Sequence, residues 1–153
     1  MRADTTIAPR SSTNYYTRVA AGKAGNDVIQ VIDTAAGYLP SSAFTKIMSF
    51  YRLFMVPGMG HCYSGPGLDV FGQAFGLPAV SNNPQHDVLS ALEQWVEKDQ
   101  APDRIIASRY VNDDPTQNVA YSRPLCPYPQ VAEYNGVGDQ SSADSFACVT
   151  PLV

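Results

Sequence analysis

An apolar stretch in this chain, Leu53-Phe54-Met55-Val56, is followed at once by Pro57, Gly58 and Gly60. Four apolar residues in a row fit a strand covered on both faces, and the proline and glycines end it. The pattern predicts a strand over Tyr51–Val56 that opens into a glycine-rich turn carrying His61 and Cys62. Upstream, Ser11 to Ala21 predicts a short helix with Tyr15, Tyr16, Val19 and Ala20 as its apolar positions and Gly22 as its stop. Val28-Ile29-Gln30-Val31-Ile32 reads as a strand in isolation, and Ala43 to Ser49 as a helix leading into Tyr51. Tyr63 to Pro84 holds many glycines, prolines and asparagines and predicts a long loop. A helix from Pro84 to Lys98 places Val88, Leu92, Trp95 and Val96 on one face, with Trp95 in the core, Pro84 in the first turn and Asp87 at the positive end. Arg104 to Tyr110 predicts a late strand, and from Asn112 onward the chain turns proline-rich.

Composition narrows the class. With 153 residues and 44% hydrophobic content the chain can bury a modest core as one soluble unit. Its net charge of −4, without a basic cluster, excludes nucleic acid as a partner because nothing neutralises phosphates. No apolar run approaches the roughly 18 residues needed to cross a membrane. Met1 to Arg10 has no apolar core, so no signal-peptide pattern is present. No internal repeat is visible.

The candidate chemistry centres on His61, on a loop at the C-terminal edge of a strand, where open α/β sheets collect reactive groups. A catalytic base and a satisfied loop histidine both fit that position. A nucleophile is harder to find, since no G-x-S-x-G occurs. The nearest imitation, around Ser64, lacks the first glycine, and Pro66 opposes the helix that a nucleophile elbow requires. A Cys62 and His61 thiol pair is disfavoured because neighbours in extended backbone point in opposite directions. A zinc site from His61, Cys62, His86 and Cys126 lacks the short paired spacing of structural zinc sites.

Tyr51-Arg52-Leu53-Phe54-Met55-Val56-Pro57-Gly58-Met59-Gly60-His61-Cys62 resembles the histidine motif of the tannase and feruloyl esterase family. The resemblance continues in Leu92-Glu93-Gln94-Trp95-Val96-Glu97, in Ala101-Pro102, and in Ser122-Arg123-Pro124-Leu125-Cys126-Pro127-Tyr128-Pro129, so it covers most of the chain. It implies an α/β fold, the C-terminal part of an α/β-hydrolase sheet with flanking helices and a disulfide-stapled irregular tail. Residues 1–111 would carry the acid and histidine loops of the catalytic domain, and residues 112–153 a proline-rich, disulfide-held extension of it.

The function implied is a secreted carboxylic ester hydrolase that cleaves gallate, feruloyl or other phenolic acid esters through a Ser, His and Asp triad. His61 would be the catalytic histidine. Asp4 would be the acid, in a segment where Arg2-Ala3-Asp4-Thr5-Thr6-Ile7-Ala8-Pro9, Ser11, Tyr15, Tyr16, Arg18 and Val19 resemble the family's acid loop and following helix. Met1-Arg2 stands where the family has His-Gly, and residues around Asn26 to Lys46 stretch the spacing between acid and histidine. The serine would lie upstream, in a part of the parent enzyme that this chain does not contain, so the missing N-terminal half is the implied partner and the absent leader belongs with it. The alternative is a noncatalytic hydrolase-like remnant or partner chain that needs the upstream half to fold and act.

Three cysteines leave one over, Cys62 beside the histidine. The resemblance implies a partner for Cys62 near the upstream serine. A disulfide between Cys126 and Cys148 would staple the tail and points to an oxidising compartment. The family's lid domain, which holds calcium, is not represented, so no cofactor is expected in this chain.

Overall fold

The computed structural model describes residues 9–21, 44, 47–73 and 83–151. Asp4, the Val28–Ile32 strand and nearly all of the Asn26–Lys46 stretch lie outside the described residues. Contacts divide the chain into two compact units, Ile7–Leu53 and a larger one made chiefly of Phe54–Val153.

In the first unit, helix α1 spans Pro9–Ala20. Its threonines bond back along the helix, Thr13 Oγ1 to Arg10 O at 3.1 Å and Thr17 Oγ1 to Thr13 O at 2.8 Å. Tyr16 is fully buried, stacks on Phe44 at 6.0 Å between ring centroids and meets the edge of Tyr51 at 5.0 Å. Its hydroxyl donates to Tyr51 O at 3.3 Å, which satisfies the polar end of a buried aromatic. Burial pushes the Tyr16 hydroxyl up from its ordinary range despite the nearby Arg52 charge, so it stays a neutral donor. Helical bonds Met48 N to Phe44 O and Tyr51 N to Ile47 O accompany the segment expected to lead helically into Tyr51.

Over Tyr51–Val56 the expected strand is not formed. Phe54 makes a single antiparallel bridge, to Pro127, and the ladder goes no further. A proline partner has no N–H to continue it, and Pro57 stops the run on the other side.

Helix α2 is Val88–Lys98, four residues shorter at its start than the periodicity suggests. Pro84 falls in a turn closed by His86 N and Asp87 N to Asn83 O. Asp87 instead serves as N-cap, its carboxylate accepting from Ser90 N at 2.7 Å, and Asp99 ends the helix at φ 55°. Ala91, only 2% exposed, is the buried residue of this helix; Val88 and Trp95 are half-buried, Trp95 lying outside the core cluster where the sequence placed it, and Leu92 and Val96 are 52% and 77% exposed. The expected apolar face is therefore rotated towards Ala91.

Strand β1, Ile105–Tyr110, begins with four buried residues, as expected for a strand covered on both faces. It pairs antiparallel with β2, Val119–Leu125, in the register Ile105 with Leu125 and Ala107 with Arg123, and a bulge falls at Arg109/Tyr110. On its other edge Ser108 exchanges backbone bonds with Val70, and Ile106 N donates to Gln85 O. Leu68, Phe71, Ile105, Ala107 and Leu125 form the core, with Phe54, Val56, Met59, Val88 and Tyr121 packed against it. Fully burying one such aliphatic or aromatic side chain contributes about 1.5–3 kcal/mol.

The tail is not irregular. β2 belongs to it, and β3, Val131–Tyr134, pairs antiparallel with β4, Phe146–Val149. The Cys126–Cys148 disulfide is present, with Cα atoms 5.5 Å apart, and joins the end of β2 to β4 across 22 residues. Closing that loop contributes about 3 kcal/mol in the chain-entropy view. Ala143 N to Ser122 Oγ at 2.9 Å and the Arg123 guanidinium over the Phe146 ring at 4.1 Å add to the attachment. Because β1 and β2 pair across residue 112, the proline-rich extension is continuous with the body of the larger unit. All the strand pairs among the described residues are antiparallel.

Candidate active site

Beyond Phe54 and its single bridge, the chain turns at Pro57-Gly58 and folds back so that residues 65–67 lie against residues 57–60. Gly67 N donates to Gly58 O at 3.1 Å, and Gly60 N to Ser64 O at 2.7 Å. The two strands of the loop approach so closely that only glycine fits. A Cβ on Gly67 would stand 2.1 Å from Pro57 O, and one on Gly65 would stand 2.3 Å from Gly58 O. Gly65 also sits at φ 109°, a backbone that side chains rarely adopt. His61 and Cys62 ride at the exposed tip of this closed loop, Cys62 in the left-handed region at φ 68°.

The base of the loop is fixed from β1 and β2. Arg109 Nη1 donates to Gly65 O at 2.7 Å and to Gly67 O at 2.9 Å, and lies 3.4 Å from Asp69 Oδ1. Its Nε pairs with Asp113. Tyr121 Oη donates to Pro66 O at 3.4 Å. Gln73 accepts from Phe71 N through Oε1 and donates through Nε2 to Asp69 O and, at 3.5 Å, to Cys62 O. Sequence reasoning missed Arg109, Asp69 and Gln73. One signal was available, an arginine near the end of a strand whose first four residues are buried.

Among the candidates named from sequence, Cys126 and Cys148 are brought together, and Cys62 is a free, exposed thiol. Asp4 lies outside the described residues. Ser64, at φ 58°, sits in a bend followed by Pro66 and not in a strand-to-helix elbow. With Cys126 in the disulfide, the zinc grouping of His61, Cys62, His86 and Cys126 does not form, and the described residues contain no group of three or more His, Cys, Asp or Glu side chains able to hold a metal. A cleft of about 630 Å³ opens between the start of α2 and the approach to β1, lined by Asn83, Gln85, Gln94, Asp103 and Arg104 among others. His61 is not in its wall, and no serine, cysteine or histidine lines it, so the loop tip is the better candidate for chemistry.

A sequence model described as tannase and feruloyl esterase matches residues 1–149. The chain belongs to the tannase and feruloyl esterase family. It is 44% identical over 146 residues to an uncharacterized esterase of Xanthomonas campestris pv. campestris, covering 95% of this chain and 24% of that protein. It is 36% identical over 150 residues to the mono(2-hydroxyethyl) terephthalate hydrolase of Piscinibacter sakaiensis, covering 97% of this chain and 19% of the relative. A probable feruloyl esterase B-2 of Aspergillus terreus is 33% identical over 147 residues, with 24% of its length covered. Among solved structures, feruloyl esterase B from Aspergillus oryzae superposes with a TM-score of 0.71 at 34% identity, over 95% of this chain and 25% of that one. A further esterase from Aspergillus oryzae gives a TM-score of 0.72 at 31% identity. The chain thus spans about a quarter or less of the length of these members of the family.

Proposed function

We propose that the parent protein of this chain is a secreted carboxylic ester hydrolase that cleaves phenolic acid esters, of the gallate or feruloyl type, by a Ser, His and Asp triad. The observation that carries the reading is His61 at the exposed tip of a loop closed by glycine contacts, in a chain of the tannase and feruloyl esterase family. The relatives' names support the acyl side of the substrate, since feruloyl esters and a terephthalate monoester share a carboxyl conjugated with an aromatic ring. The Cys126–Cys148 disulfide supports an oxidising compartment.

In this mechanism the serine comes from the portion of the parent outside this chain. His61 removes the proton from the serine hydroxyl as its oxygen attacks the ester carbonyl, and returns that proton to the departing alcohol. A water then takes the same route, and the acyl-serine bond breaks to release the acid. Asp4 accepts from the His61 Nδ1–H, which fixes the tautomer and stabilises the imidazolium. The oxyanion hole uses backbone amides beside the nucleophile and from an earlier loop, both upstream. Cys62 is paired with a cysteine near that serine, which ties the two catalytic loops together. The family's calcium belongs to the lid domain, and no step here passes through it.

A second reading, a noncatalytic partner chain that needs the upstream portion of the parent to fold, draws on the exposed Leu89, Leu92 and Val96 along α2. One experiment separates the two. The isolated chain is assayed on a chromogenic phenolic ester, alone and with the upstream portion supplied. No turnover alone and turnover when the two portions are combined is the expected result; activity in the isolated chain would return Ser64 or Cys62 to consideration as nucleophile. No turnover in the combined portions, once their association is established, would favour the noncatalytic reading.

A further inference from the structure

We infer that Arg109 is a positioning residue for His61, an inference that rests on the assignment of His61 as the catalytic base. One guanidinium nitrogen donates to the carbonyls of both Gly65 and Gly67, at 2.7 and 2.9 Å, and faces Asp69 at 3.4 Å. The Nε side is occupied by Asp113. The Arg109 side chain is only 18% exposed, so these charge-assisted bonds are partly shielded from water.

The path from there to the imidazole is short. Gly67 N is bonded to Gly58 O, and Ser64 O, next to Gly65, accepts from Gly60 N. Gly58 and Gly60 precede His61, and Ser64 to Gly67 follow it, so Arg109 holds the chain on the far side of His61 and that side holds the near one. Without the guanidinium, two inward-facing carbonyls lose their donor and the clamp between residues 57–60 and 65–67 is free to open. A displacement of about 1 Å at a catalytic group lowers rate by about a hundredfold. A displaced base slows the proton transfers themselves, so the loss is expected in kcat.

The test uses the complete parent enzyme with Arg109→Met and Arg109→Lys. Arg109→Met should lower kcat about a hundredfold with KM within about twofold. Arg109→Lys, which keeps one cationic donor but not the fork, should recover about tenfold of that loss. Normal kcat in Arg109→Met, or kcat and KM changing in parallel in both variants, would overturn the inference. Should Arg109→Met fail to fold, Arg109→Lys decides: a several-fold lower kcat at unchanged KM supports positioning, and wild-type kcat or a change in KM alone opposes it. His61→Ala in the same enzyme separates the two levels. Turnover by His61→Ala removes the base assignment itself, whereas an inactive His61→Ala beside a fully active Arg109→Met removes only the role of Arg109.

Discussion

His61→Ala in the complete enzyme is expected to lower kcat by about a millionfold, the scale seen when a triad histidine is removed from a serine hydrolase. The imidazole performs two transfers of one proton, and without it the serine attacks as a neutral hydroxyl and the alcohol departs unprotonated. Stability should change little. His61 is exposed at the loop tip, and the glycine contacts and Arg109 close the loop. Steady-state turnover of a phenolic ester, with a thermal melt on the same samples, reads both effects. A variant that keeps its melting temperature and loses turnover fits the account; one that retains turnover removes His61 from the chemistry.

Asp4→Asn should cost about four orders of magnitude in kcat, for a different reason. Asparagine keeps the size and can still meet the imidazole, but its amide can donate where a carboxylate only accepts. The wrong tautomer is then stabilised, and the imidazolium loses its counter-charge. The loss should fall on kcat with KM little changed, and kcat measured against substrate concentration for Asp4→Asn and Asp4→Glu checks it. Activity close to normal in Asp4→Asn would place the triad acid at another residue.

Much of this molecule is readable from residue types whose physics is local. Pro57, Gly58 and Gly60 announce the turn that carries His61, the helical spacing announces a helix ending at Lys98, and Arg104 to Tyr110 reads as a strand. What was lost depends on partners far along the chain. The run Leu53 to Val56 has strand-like residues, yet its register partner is Pro127, which cannot extend a ladder. Conversely, Pro124 and the prolines after it disguise β2, which is held by pairing with β1 and by Ser122 N to Ser141 O. β3 and β4 are four residues each, too short to register as a period, and they exist because the Cys126–Cys148 bond and the Arg123–Phe146 contact gather them. The rotation of the α2 face turns on Ala91, whose small side chain is a weak signal in sequence but is 2% exposed in the fold. The loop's anchoring was hidden for a similar reason. Arg109 and Gly65 are 44 residues apart, and only the fold brings them to a hydrogen bond.

The central claim is that the imidazole of His61 activates a serine supplied from outside this chain. Treating the complete enzyme with an organophosphonate that esterifies activated serines, then locating the modified peptide by mass spectrometry, tests it directly. The account predicts one modified serine upstream of Met1 and no modification in the His61→Ala variant. Modification of Ser64, or labelling of the upstream serine that is undiminished in His61→Ala, would contradict it.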